Sequence, residues 1–160
     1  MNQTMKSGAV SALFVLGSLA ASSTALAVSS NHSGTICKNY NAADAPYIDY
    51  LTNGTRSIKT STTNIVCPMA RNTSNTNGAY VYVDVTHSSS VTMTCTAYSY
   101  TYTGTLLGSV SATWTGSGFH EFALNLTGSG KSTAWSDYSV LCSTPGNRAA
   151  VINGVDLNES

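Results

Sequence analysis

From Thr35 onward the chain is a succession of short apolar or alternating runs, each closed by turn residues. The runs fall at 35–40, 47–51, 57–60, 64–68, 79–86, 91–102, 106–114, 120–126, 138–142 and 151–157. Between them stand Asn53-Gly54, a polar stretch at 72–78, Ser88-Ser89-Ser90, Thr103-Gly104, Gly116-Ser117-Gly118, Gly128-Ser129-Gly130 and Pro145-Gly146-Asn147. Asn-Gly supplies the positive φ angles that tight hairpins need. No run after residue 27 sustains a 3.6-residue period, and short strands at roughly 8–12-residue spacing mark a sandwich or barrel. The expected fold is all-β, a jelly-roll-like β-sandwich of about 8–10 short antiparallel strands.

The sharpest alternation is Ala79-Tyr80-Val81-Tyr82-Val83-Asp84-Val85-Thr86. Successive side chains alternate faces along a strand, so Val81, Val83 and Val85 line one side and Tyr80, Tyr82 and Asp84 the other. The run at 91–102 sets Val91, Met93, Cys95 and Ala97 on one face, with Thr92, Thr94, Thr96, Tyr98, Tyr100 and Tyr102 opposite. A hairpin turning at Ser88-Ser89-Ser90 would place Val83 against Cys95 and Val81 against Ala97, burying both apolar rows. It would also gather Tyr80, Tyr82, Tyr98, Tyr100 and Tyr102 on one outer face. Further core rows are Val110, Ala112 and Trp114; Phe122, Leu124 and Leu126; and Tyr138, Val140 and Cys142.

The N-terminus breaks the β pattern. Lys6, an apolar stretch at 9–21 interrupted by Ser11, Gly17 and Ser18, and Ala25-Leu26-Ala27 make the three parts of a secretory signal peptide over residues 1–27. The apolar stretch is shorter than the about 20 residues needed to cross a bilayer, so no stable membrane insertion is expected. Residues 28–160 are then a single exported domain, secreted or periplasmic. Seven Lys/Arg balance seven Asp/Glu, and no basic cluster suits nucleic acid or anionic lipid.

Export changes the reading of the four cysteines. An even count in an oxidising compartment forms two disulfides, although spacing alone allows three connectivities. The expected bridges are Cys37–Cys67 and Cys95–Cys142, each joining partners in the same half of the domain. Cys95 and Cys142 also lie on apolar faces. With no C-x-x-C and no histidine beside a cysteine, a zinc site is not expected.

Gly128-Ser129-Gly130-Lys131-Ser132-Thr133 imitates the end of a phosphate-binding loop, but position 125 is Asn and the next run is a strand, not a helix. It reads as a Gly/Ser hairpin loop. There is no G-x-S-x-G elbow, and nothing in the spacing of His32, His87 and His120 selects a base. No pair among Asp44, Asp49, Asp84, Glu121, Asp137, Asp156 and Glu159 is placed to act as a glycosidase couple. No catalytic residue, metal or cofactor is expected. Asp156 and Glu159 with carbonyls from 41–44 have the right chemistry for calcium, but without a ligand spacing they read as a solvated chain end. The tyrosine face is the one feature with binding character. Its rings offer flat apolar faces to sugar C–H groups or to a protein, and its hydroxyls offer hydrogen bonds. Cross-strand pairing within the sheet, or cover by another sheet, explains the same tyrosines more plainly.

Ile65-Val66-Cys67-Pro68, the Cys95 strand followed by Tyr98 and Gly104, Tyr138-Ser139-Val140-Leu141-Cys142 with Pro145, and the closing Ile152, Val155 and Glu159 resemble an uncharacterised group of small exported bacterial proteins. The resemblance runs from Cys37 to Glu159. It rests on the signal peptide, the order Cys…Cys-Pro…Cys…Cys and a short final strand ending in an acid. Where the group has Cys-x-Leu-Pro, this chain has Cys142-Ser143-Thr144-Pro145. The resemblance implies a bacterial source, leaves Asn53-Gly54-Thr55 unglycosylated and carries over no catalytic residue. The expected function is a non-enzymatic exported sandwich that binds carbohydrate or a protein surface through its tyrosines. The alternatives are a structural or accessory envelope protein without a small ligand and, more remotely, a secreted hydrolase.

Overall fold

Nine antiparallel strands carry the described chain: β1 (Val28–Ser33), β2 (Lys38–Asn39), β3 (Ile48–Leu51), β4 (Gly54–Ser57), β5 (Thr63–Met69), β6 (Ala79–Tyr100), β7 (Leu106–Asn125), β8 (Asp137–Thr144) and β9 (Ala150–Glu159). The structure is a computed structural model that describes residues 28–73, 77–128 and 131–159. The leader at 1–27, residues 74–76 of the polar stretch, and Ser129 and Gly130 of the Gly/Ser loop lie outside the described residues.

The expected hairpin between 79–86 and 91–102 does not form. Those runs are the two halves of β6, and the runs at 106–114 and 120–126 are likewise one strand, β7. Ser88-Ser89-Ser90 is a bulge: the β6–β7 register jumps between His87↔Gly118 and Val91↔Gly116. Gly118, at φ 91°, and Gly116 relieve the partner strand there, while the Ser88 N–H donates to the Ala149 carbonyl. A bulge bends a strand without reversing it, so β6 and β7 turn together as one long folded ribbon. The first half of β6 pairs with β9, and its second half pairs with β8.

This ribbon joins two sheets. In the first, β9 is flanked by the first half of β6 on one side and by β1 and β4 on the other, with β3 beyond β4. In the second, the order is β2-β5-β8 and then the second half of β6. β7 lies outermost in both. The run at 57–60 contributes only Ser57 to a strand. β1 carries no apolar alternation and is held by pairing with 154–159 of β9.

Alternation supplies the core. Val81, Val83, Val85, Phe122, Leu124, Ile152, Val155 and Leu157 of the first sheet are buried with Ile65, Met93, Ala97, Val140 and all four cysteines of the second. The bridges are Cys37–Cys67 and Cys95–Cys142, each with Cα atoms 4.1 Å apart. Cys95 and Cys142 are directly opposed on β6 and β8. Cys37 immediately precedes β2, whose Lys38 faces Val66, the neighbour of Cys67. Both bridges therefore brace adjacent strands of the second sheet. They do not clamp one sheet to the other.

Candidate binding face

Tyr98 and Tyr100 alternate with buried Ala97 and Ser99, so their rings stand on the outer face of the second sheet. They stack with centroids 5.9 Å apart at 23°. Tyr100 lies opposite Asp137 on β8 and Leu106 on β7, and Leu106 is itself exposed. The β6–β8 register, carried two residues beyond Tyr100↔Asp137, sets Tyr102 opposite Trp135. These two rings are 75% and 72% exposed and line a shallow cavity of about 340 Å³.

Both rings project from anchored backbone. Behind Tyr102, the Thr101 N–H donates to the Thr105 carbonyl and the Thr105 N–H to Thr101 Oγ1, around Gly104 at φ 84°. Beneath Trp135 lies a network of buried polar groups. Arg71 Nη1 donates to the Thr133 carbonyl at 2.6 Å and to Ser136 Oγ at 2.9 Å, and the Tyr138 hydroxyl donates to Ser132 Oγ at 2.8 Å. Arg71 Nε in turn donates to Glu159 Oε1 at 2.8 Å, and Glu159 Oε2 accepts the N–H groups of Asn72 and Thr73. Burial pushes the Glu159 carboxyl up, but the Arg71 guanidinium and these two N–H donors outweigh it and hold the group below the usual carboxylate range.

Along the ribbon from Tyr98, the same outer face becomes a row of paired hydroxyls. Thr96 meets Ser111 at 2.7 Å, Thr94 meets Thr113 at 2.8 Å, and Thr92 meets Thr115 at 2.7 Å.

Tyr80 and Tyr82 are elsewhere. They stack at 6.3 Å on the outer face of the first sheet, with Asn125 Nδ2 donating to the Tyr80 hydroxyl. The stretch from Tyr82 to Tyr98 is about 50 Å of strand at ~3.3 Å per residue, with the bulge between. The single five-tyrosine face expected from the sequence is thus split between the sheets, Tyr80 and Tyr82 on the first and Tyr98, Tyr100 and Tyr102 at the end of the second, because the bulge at Ser88-Ser89-Ser90 carries the chain onward. Asp156 of β9 lies opposite Tyr82, and Asp84 lies opposite Glu121. Burial raises the carboxyls of Asp84 and Asp156, and Asp156 is raised further by the charges of Asp84 and Glu121. One buried oxygen of each, Oδ1, has no hydrogen-bond partner in the structure.

The remaining candidates resolve differently. His87 and His120 are brought together on either side of Trp114, at 4.5 and 4.4 Å between centroids, with Phe122 edge-on to His120. His87 is buried, and its Nδ1 meets the Gly116 carbonyl at 3.0 Å. Asp156 and Glu159 cannot share an ion: three residues apart on β9, they point to opposite faces, and Glu159 is committed to Arg71. Asp44 is likewise committed to Lys59 at 2.7 Å. Among the described residues, no three His, Cys, Asp or Glu side chains gather to hold a metal, and no helix is long and apolar enough to cross a membrane. Trp135, the most exposed ring beside Tyr102, escaped the sequence reading because it sits in a loop without alternation.

No family model matches the chain, and no curated protein matches it in sequence. Among solved structures, the chain is similar to the CBM36-1 domain of a multidomain xylanase from the hindgut metagenome of Trinervitermes trinervoides. The TM-score is 0.50 at 9% identity, over 83% of this chain and 98% of that one. The xylan-binding module CBM15 gives a TM-score of 0.46 at 13% identity, over 84% and 97% of the two chains. At 9% identity the likeness to the xylanase domain is one of fold alone, a β-sandwich.

Proposed function

We propose that this protein is an exported, non-enzymatic β-sandwich that binds carbohydrate through the Tyr98–Tyr100–Tyr102–Trp135 end of its second sheet. The observation that carries this reading is the in-register continuation of a stacked tyrosine pair into two rings that remain about three-quarters exposed. Large rings presented side by side on anchored backbone offer a sugar its preferred contact, flat apolar surface against C–H groups. The hydroxyls of Thr92, Thr94 and Thr96 and their partners extend that platform with hydrogen-bonding groups. The sandwich fold, shared with a module of a xylanase, is compatible with the reading, and two disulfides suit an oxidising compartment. The Tyr80–Tyr82 pair is assigned to sheet stabilisation, since Tyr80 is already bonded to Asn125.

The test is a glycan array probed with the wild type and with Tyr98→Ala, Tyr100→Ala and Trp135→Ala. Binding to a glycan class that any of these abolishes while folding is retained supports the site. If wild type and variants alike bind no glycan, the alternative of an accessory envelope protein without a small ligand replaces it. Mass spectrometry of the secreted protein tests export separately: cleavage after Ala27 is the expected result.

A further inference from the structure

We propose that the free edge of β7 pairs antiparallel with the same edge of a second copy of this chain, about a twofold axis at Ala112. Among the described strands β7 pairs only with β6, although it is 20 residues long. Such an edge presents a row of unpaired N–H and C=O groups, and proteins ordinarily blunt it with charge, proline or a short length. Residues 106–119 contain no charged residue and no proline.

The sequence of this edge matches itself when reversed. In Ser109-Val110-Ser111-Ala112-Thr113-Trp114-Thr115 the hydroxyl residues at 109, 111, 113 and 115 face outward, while Val110, Ala112 and Trp114 pack towards the core. Reading the strip backwards about Ala112 reproduces the same order of outward hydroxyls and inward apolar groups. Ser109 then opposes Thr115 of the second copy, Val110 opposes its Trp114, and Ser111 opposes its Thr113. The electrostatics are equally matched, since neither side brings a charge to the strip. Two glycines set equally far from Ala112 bound it. The Lys131 stem lies against Gly108, and the Trp114 ring folds over Gly116.

An isologous pair of this kind closes at two copies. Its axis is perpendicular to the sheet, so the outer faces of both copies remain on one side. The hydroxyl row Thr96–Ser111 continues into Thr113 and Thr94 of the second copy. Both Tyr98–Tyr100 pairs then look out in the same direction. A single pair of seven-residue strips falls below the roughly 1,200 Å² at which stable complexes begin, so the dimer is reversible and weak.

Sedimentation velocity of the purified protein from about 10 μM to about 1 mM, a range set by that small interface, reads the association directly. The expected result is a weight-average mass rising from one copy towards two and no further. The register is read by disulfide capture: a Ser109→Cys chain mixed with a Thr115→Cys chain forms a covalent heterodimer, and neither forms one alone, because like positions lie about 20 Å apart along the strands. All four native cysteines are already bridged, so the introduced thiols are the free ones. Thr113→Lys, on the exposed face, is expected to keep the protein monomeric. Four results overturn the proposal: a monomer across the whole range, growth beyond two copies, capture by Ser109→Cys alone, or undiminished association of Thr113→Lys.

Discussion

Glu159→Gln isolates the group that fastens the Trp135 loop to the end of β9. The glutamate side chain is 1% exposed and that of its partner Arg71 is 10% exposed. One carboxylate oxygen takes Arg71 Nε, and the other takes two backbone N–H groups. Glutamine keeps the shape but must turn an NH₂ group towards one of these sets of donors, and it removes the negative charge that faces Arg71 Nε. Breaking a buried pair from one side costs about 3–5 kcal/mol, a large share of the about 5–15 kcal/mol by which domains are stable. With a urea slope of about 2 kcal/mol/M, the unfolding midpoint at pH 7 should fall by roughly 1.5–2.5 M, followed by tryptophan fluorescence. The acid limb gives an independent reading. Glu159 is held below its ordinary value of 4.5, so its stabilisation is complete above that value and is lost as pH falls through the depressed one. The variant should therefore show a flatter acid limb than the wild type. A midpoint shift under about 0.5 M at pH 7, or an unchanged acid limb, would refute the assignment of Arg71–Glu159 as the anchor.

Asp84→Asn should act in the opposite sense. Burial raises the Asp84 carboxyl, so the folded state is penalised at neutral pH and gains stability as pH falls from the raised value towards 3.8. The substitution is expected to raise the thermal midpoint at pH 7 and to give little gain near pH 3, measured by calorimetry; equal gains at both would contradict the charge argument. Replacing both Cys95 and Cys142 with alanine opens a loop of 47 residues and should cost about 4 kcal/mol by the loop-entropy relation, lowering the midpoint by on the order of 15 °C. A loss below about 1 kcal/mol would mean that the second sheet holds itself together without the bridge. Trp135→Ala should weaken glycan binding by roughly 5–30-fold, the span of about 1–2 kcal/mol for an exposed anchor ring, without moving the urea midpoint. Titration calorimetry on the best array ligand decides this, and unchanged affinity would remove Trp135 from the platform.

Period-two alternation was enough to identify the rows that fill the core, because burial of one face is the physical cause of both the pattern and the fold. Val81, Val83, Val85, Cys95, Phe122, Leu124 and Val140 all lie where alternation puts them. Alternation does not state what happens between rows. Ser88-Ser89-Ser90 suits a reversing turn or a bulge equally well, and the deciding interactions are distant: Ala149 on the chain entering β9 and the glycines of β7 opposite. That one local choice moved two of the tyrosines to another sheet. Trp135 and its anchor were invisible for a related reason. Arg71 and Glu159 are 88 residues apart, and neither has an unusual neighbour in sequence, yet they meet because β9 ends beside the segment that follows β5. The exposed rings can be picked out as a platform only once that meeting is known. An exposed tryptophan on an unsupported loop would be a mobile ring that loses much of its contact energy in being ordered. Here the polar groups beneath Trp135 are committed before any ligand arrives. The platform is thus defined as much by a buried carboxylate on another strand as by the rings themselves.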